Sequence, residues 1–236
     1  MSTKVTLCLT IGRRPDLLKQ TLISLQHQSQ WANIIAINDF RDEPTNRIFR
    51  EHCPEGRLIS LDRQLGHHSA VDYMYSQVTT PYVFHCEDDW QFDHGINLEQ
   101  SIDLLHALPK ISQICFRKLS DFKFNPTEQE HIVRTNVGGI PYARLDLLHQ
   151  QWHGYTFNPH LASLDLWRSL GGFSQFKKER HISRFLRKQE RFSAYIEPGC
   201  CFHIGELQSV SQSAMNPTGL RWLRKKIKNL LIGNKD

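Results

Sequence analysis

Apolar residues along the first half of the chain recur at two alternating periods. Residues 5–10 form a short β-rich run stopped by Gly12 and by Pro15, a residue suited to a first helical position. Leu18, Leu22 and Leu25 then fall at helical spacing, with Leu17 and Thr21 beside them. Residues 34–38 are a second apolar run ending in Asp39, and Pro44 opens a helix through His52. Residues 57–61 make a third strand ending in Asp62, followed by a helix over 68–77 with Val71, Met74, Tyr75 and Val78 on one face. Residues 82–86 are a fourth strand, ending in Glu87-Asp88-Asp89-Trp90. Such alternation predicts an α/β fold with a mostly parallel central sheet flanked by helices and right-handed crossovers.

The second half is looser. The pattern predicts a helix over 98–108, a strand over 112–116, a polar loop over 118–130 and a strand over 132–137. An aromatic-rich loop follows at 149–159, then a short helix over 163–170 stopped by Gly171-Gly172. A helix over 180–189, a strand over 192–196 and a short strand over 200–203 close the body. No internal repeat or low-complexity segment interrupts it.

Composition narrows the class. With 236 residues, 39% hydrophobic and 22% charged, the chain suits one soluble domain able to bury a core. The N-terminus lacks a charged-then-apolar signal segment, and no apolar run reaches the roughly 18 residues that span a bilayer. The six cysteines form no CxxC pair and sit mostly in apolar runs, so they read as reduced, buried thiols of a cytoplasmic protein.

The net charge of +5 is local. Of 29 basic and 24 acidic residues, six and one fall at 219–236, leaving 23 of each elsewhere. A neutral body argues against a nucleic-acid binder. In the tail, Leu220, Leu223, Ile227, Leu230 and Leu231 share an arc of roughly 100° on a helix. Arg221, Lys225, Lys226 and Lys228 occupy the remaining face. Residues 216–236 therefore read as a basic amphipathic helix. It would either lie on an anionic membrane, placing the protein at the inner membrane face, or dock on the body with its basic face in water.

Three of the first four strands end in acids, Asp39, Asp62 and Glu87. Ligands of open parallel sheets bind outside the carboxyl ends of strands, so these acids are expected at one crevice. Three adjacent carboxylates, Glu87-Asp88-Asp89, repel one another unless a cation offsets them. Hard oxygen ligands of this kind suit magnesium or manganese carrying a nucleotide's phosphates.

The segment Tyr-Val-Phe-His-Cys-Glu-Asp-Asp-Trp-Gln at 82–91 resembles the strand and DxD motif of GT-A fold glycosyltransferases, especially glycosyltransferase family 2. The resemblance extends to the opening strand, turn and helix at 5–25, to a second strand ending in Asp39, and to Leu-Gly-His-His-Ser-Ala at 65–70. It continues through Gly171-Gly172-Phe173 with Glu179 following, and through a closing strand ending in His203. The resemblance implies residues 1–215 as one GT-A domain, with 1–92 the nucleotide-sugar half and 93–215 the acceptor half. Thr10 and Asp39 would then line the base pocket, with Glu87 and Asp88 near the ribose and the metal's water shell. Asp89 and His203 would hold Mn2+ or Mg2+, and Glu179 would be the catalytic base. The family's second acid after Gly-Gly-Phe is Arg180 here. Trp152, His153, Tyr155 and Phe157 are either core residues or stacking surfaces for acceptor sugars.

The function expected is metal-dependent, inverting transfer from a nucleotide-diphosphate sugar to a glycan or lipid-linked acceptor, as in cell-surface polysaccharide or lipopolysaccharide synthesis. The alternatives are a nucleotidyltransferase, for which Thr-Ile-Gly-Arg-Arg-Pro at 10–15 is a poor phosphate loop, and a non-catalytic sugar-binding relative.

Overall fold

In the computed structural model, which describes residues 4–26, 28 and 30–205, the first half of the chain follows the predicted alternation. The elements are β1 (Val5–Ile11), α1 (Pro15–Leu25), β2 (Asn33–Asn38), α2 (Glu43–His52), β3 (Arg57–Ile59), α3 (His67–Tyr75) and β4 (Tyr82–Glu87). Strands β3, β2, β1 and β4 lie side by side, and every pairing among them is parallel. Pro15 at the start of α1 and Asp42 capping α2 through the Thr45 N–H set where the helices begin.

The second half completes the sheet with mixed polarity. It contributes β5 (Trp90–Phe92), α4 (Leu98–Ala107), β6 (Ile111–Cys115), α5 (Pro126–Glu130), β7 (Val133–Val137) and β8 (Ile140–Arg144). Next come β9 (His160–Ser163), α6 (Leu164–Ser169), α7 (Glu179–Lys188), β10 (Phe192–Ile196) and β11 (Cys201–His203). The sheet order is β3-β2-β1-β4-β9-β6-β10-β8-β7, with β5 and β11 forming a separate ribbon. β9 runs antiparallel between β4 and β6, which welds the two halves into one sheet.

Four elements depart from the sequence pattern. The expected loop over 118–130 contains α5, started by a capping box between Asn125 and Glu128. β8 follows the Gly138-Gly139 turn, where both residues have positive φ and a hairpin becomes possible. β9 is only four residues long and falls mostly in the gap between the expected loop, which ends at 159, and the expected helix, which begins at 163. β5 pairs with β11, so the last strand does not join the main sheet.

Strand alternation sorts the core into two layers. Leu7, Leu9, Ile11, Ala36, Phe84 and Cys86 pack with Leu18, Leu22 and Leu25 of α1 and Phe49 of α2. Cys8, Ile35, Ile37 and Val83 face the other way, onto Ala70, Val71 and Met74 of α3 and Ile182 and Leu186 of α7. Tyr155 and Phe157 belong to this second layer, at 1% and 2% exposure, so they are core and not stacking surfaces; Trp152 is 38% exposed. All six cysteines are free thiols, five of them buried.

The chain divides into two units, Met1–Ile204 and Gly205–Asp236. The amphipathic reading of 216–236 lies outside the described residues. Among the described residues no helix is long and apolar enough to cross a membrane.

Candidate active site

The acidic run follows directly from β4, and backbone alternation sends its members to different neighbours. Thr10 pairs with Glu87 across β1 and β4, and the Thr10 hydroxyl is buried with no hydrogen-bond partner among the described residues. Burial holds the Glu87 carboxyl well above its ordinary value, and Asp89, Glu179 and Asp88 push it the same way, with Arg14 opposing.

Asp88 turns toward the β1–α1 loop. Its Oδ2 accepts a 2.9 Å hydrogen bond from the Gly12 N–H, and its Oδ1 pairs with Arg14 Nη2. Only glycine suits position 12, because a Cβ there would stand 2.4 Å from the Phe40 ring at a φ of 157°. Burial raises the Asp88 carboxyl to about 6, against the pull of Arg14 and Gly12.

Asp89 is met from two sides. Arg14 Nη1 donates to its Oδ2 at 2.5 Å, and His203 Nε2 lies 2.9 Å from the same oxygen. Burial opposes ionisation of Asp89, but the His203 hydrogen bond and Arg14 outweigh it and hold the carboxyl below the usual range. Asp89 Oδ1 is buried and has no hydrogen-bond partner among the described residues.

The β5–β11 ribbon is what delivers His203, which pairs with Trp90, while the Ile204 N–H donates to the Asp89 carbonyl. Asp121 accepts from the His203 N–H at 3.1 Å and is itself paired with Arg117 at 2.7 Å. Neither Arg14 nor Asp121 stands out in the sequence, although Arg14 beside a helix-opening proline near a strand end was an available signal.

Glu179 opens α7 and lies near enough to Glu87 to act on its carboxyl electrostatically. Burial raises its carboxyl to about 7, while the Thr156 hydroxyl and the Phe157 N–H favour the anion. Its helix is aimed by Asp72, which accepts from the N–H groups of Phe173 and Ser174 and from the Trp167 indole at 2.7–2.8 Å. Gly172, at φ 90°, lets the turn approach that carboxylate, since a Cβ would lie 2.8 Å from Asp72 Oδ2.

Asp39 is held at the end of β2 by the turn that precedes α3. Both its oxygens accept backbone hydrogen bonds, from Leu65 at 2.6 Å and Gly66 at 2.9 Å, so it pins the turn before α3. Asp62 lies beyond the end of β3 and is exposed, with none of the hydrogen bonds or ion pairs that tie Asp88 and Asp89 together among the described residues. Asp88, Asp89, Arg14 and His203 form one connected cluster, with Glu87 and Glu179 interacting electrostatically beside it.

A sequence profile described as glycosyl transferase family 2 matches residues 7–194. The chain belongs to glycosyl transferase family 2. The matched span includes the acidic run, the Gly-Gly-Phe turn and Glu179; His203 lies beyond it. Two solved structures share the GT-A fold of this family 2 chain. Mannosyltransferase PcManGT from Pyrobaculum calidifontis, in complex with GDP-Man and Mn2+, superposes with a TM-score of 0.62 at 12% identity over 87% of this chain. TarS 1-349 of S. aureus superposes with a TM-score of 0.56 at 11% identity over 86% of this chain. The chain spans 58% and 61% of those two chains. No curated protein matches it.

Proposed function

We propose that this family 2 member is a metal-dependent, inverting glycosyltransferase using a nucleotide-diphosphate sugar. The observation that carries the reading is the convergence of Asp89 and His203, far apart in the chain, beside a second acidic centre at Glu179. Among the described residues no group of three or more His, Cys, Asp or Glu forms a complete metal cage. One carboxylate and one imidazole instead fit Mn2+ or Mg2+ that takes its remaining ligands from diphosphate and water. The orphaned Asp89 Oδ1 supplies the open donor. The bound metal would act as a Lewis acid on the leaving diphosphate. The complex of PcManGT with GDP-Man and Mn2+ supports this cofactor pairing.

Arg14 holds Asp88 and Asp89 in place and presents positive charge where the diphosphate would sit. Asp39, by fixing Leu65 and Gly66, shapes the base pocket near Thr10. Glu179 accepts the acceptor hydroxyl's proton as that oxygen bonds to the anomeric carbon. The carbon–phosphate-oxygen bond breaks on the opposite face, and the nucleoside diphosphate leaves with the electron pair. A carboxyl titrating at about 7 suits a base working near neutrality. The acceptor is a glycan or lipid-linked saccharide; the basic tail at 216–236 supports a membrane-associated one.

The test is a melting-temperature screen of nucleoside diphosphates with and without Mn2+, followed by assay of donor turnover. Metal-dependent stabilisation and release of nucleoside diphosphate from a sugar donor are expected. Pyrophosphate release would mark a nucleotidyltransferase, and binding without turnover would mark a non-catalytic relative.

A further inference from the structure

The helix that opens with Glu179 carries a second feature on its outer side. Between Lys177 and Arg191 there are seven Lys or Arg and two acids, while the body as a whole is neutral. The two acids do not neutralise this surface. Glu179 faces the acidic centre, and Glu190 pairs with Lys110 at 2.8 Å. Arg187 is drawn sideways to the His149 and Trp152 carbonyls. Among the described residues no carboxylate forms an ion pair with Lys177, Arg180, Arg184 or Lys188.

Helical periodicity explains the arrangement. Ile182, Ser183 and Leu186 point inward and are buried, which turns Arg184, Phe185 and Lys188 outward. Phe185 is 42% exposed, and its ring lies 5.6 Å from that of Phe176. These two rings, with Lys177, His181, Arg184 and Lys188, line a shallow groove of about 370 Å³. The positive field is felt by His181, which is held below its ordinary value by desolvation and then by Arg184, Arg180, Lys178 and Lys177.

We propose that the outer face of α7 is a docking surface for an anionic bilayer. Arg184, Lys188 and Lys177 would engage lipid phosphates, with Phe185 seated at the headgroup boundary. Charge complementarity selects the occupant, and an exposed aromatic among long basic side chains distinguishes a lipid interface from a purely ionic partner. Glu179 and Lys188 are the two ends of one helix, about 13 Å apart at 1.5 Å per residue. Docking here would hold a membrane-borne acceptor within reach of the base. Only that last consequence rests on the glycosyltransferase reading; the membrane contact does not.

The experiment uses the full chain, tail included, so that differences between variants report α7 alone. Sedimentation is measured with vesicles of phosphatidylcholine containing phosphatidylglycerol and with phosphatidylcholine alone. A basic residue near an anionic surface is worth roughly a fivefold factor in binding, so R184E/K188E should weaken association with the anionic vesicles by at least about 20-fold. R184Q/K188Q should weaken it by a smaller factor, and Phe185→Ser by about tenfold. All three should keep the wild-type melting temperature and Mn2+-dependent nucleotide binding, and wild-type association should weaken with salt. Wild-type vesicle binding by both charge variants would overturn the proposal. So would equal losses on soluble polyglutamate and on vesicles with no effect of Phe185→Ser, which would mark a general anion patch. Vesicle binding without any sugar-donor turnover in the wild type would sink the enzymatic reading and leave this surface standing.

Discussion

His203 Nε2 and Asp89 Oδ2 lie 2.9 Å apart although 114 residues separate them in the chain. The contact exists because β5 and β11 pair antiparallel, setting His203 opposite Trp90 and next to the acidic run. Arg14 reaches the same oxygen, so a single carboxylate joins the first loop, the end of β4 and the last described strand.

Asp89→Asn should abolish Mn2+-dependent binding of nucleoside diphosphate and transfer while leaving the fold intact, because it removes the anionic donor of the pair. His203→Ala should weaken metal affinity by at least the roughly 10–100-fold that loss of a partner merely orienting a ligand costs. Calorimetry with Mn2+ and the diphosphate checks both. Unchanged metal-dependent binding in Asp89→Asn would remove the metal from this site.

Arg14→Met should lower the melting temperature in the absence of metal. It leaves Asp88 and Asp89, at 1% and 4% exposure, without their guanidinium partner. Breaking one side of a buried ion pair costs about 3–5 kcal/mol. Mn2+ should restore more of the lost stability in this variant than it adds to the wild type. Scanning calorimetry with and without Mn2+ reads the difference, and equal Mn2+ effects on both proteins would count against a shared cation position.

Glu179→Gln should cut turnover by roughly 10²–10⁴-fold with little change in donor binding. The wild type should show an acidic limb in kcat/KM near the pH of about 7 at which Glu179 titrates. Below that pH the carboxyl is protonated and cannot accept the acceptor's proton, so the rate falls tenfold per pH unit; in Glu179→Gln this limb should vanish. Because the unfolded carboxyl loses its proton near 4.5 and the folded one only at about 7, stability is lost progressively as pH rises between those values and stays lost above them. The glutamine variant should therefore gain on the wild type between pH 5 and 8, by roughly 1–3 kcal/mol. A variant within a few-fold of wild-type activity would move the base elsewhere.

The core should be sensitive to mild acid through two stacked imidazoles. His85 and His160 are fully buried with ring centroids 5.4 Å apart. Burial holds His160 down to about 4 and His85 well below its ordinary value, with His160 and His67 adding to the latter. The unfolded chain takes up these protons below about 6.5, so stability is full above that pH and is lost as pH falls toward 4. His160 alone should account for about 2 kcal/mol between pH 7 and pH 5. Urea unfolding at the two pH values should show His160→Gln losing that much less than the wild type. Parallel losses in both proteins would place the acid sensitivity elsewhere.

What the sequence determined was local. Periods of two and of 3.6 residues place β1 to β4 and their helices, because each buries one face and a regular apolar stripe records that burial. The same reading puts Thr10, Glu87, Asp88 and Asp89 at strand ends, and the family resemblance singles out Glu179 after a glycine turn. Tertiary structure decided what short strands and single side chains do. β8, β9 and β5 do not show in the sequence pattern as strands, and it is their partners that hold them in the sheet or the ribbon. Asp39 and Asp62 look alike in the sequence, as acids after apolar runs. Yet one is bound by two N–H groups from the turn before α3, and the other lies in solvent. Arg14 becomes the cation of the acidic run only because the β1–α1 loop folds over the end of β4. Electrostatic partnership falls off within a few ångströms, so it depends on distances that are set when the sheet closes and that residue order alone does not contain.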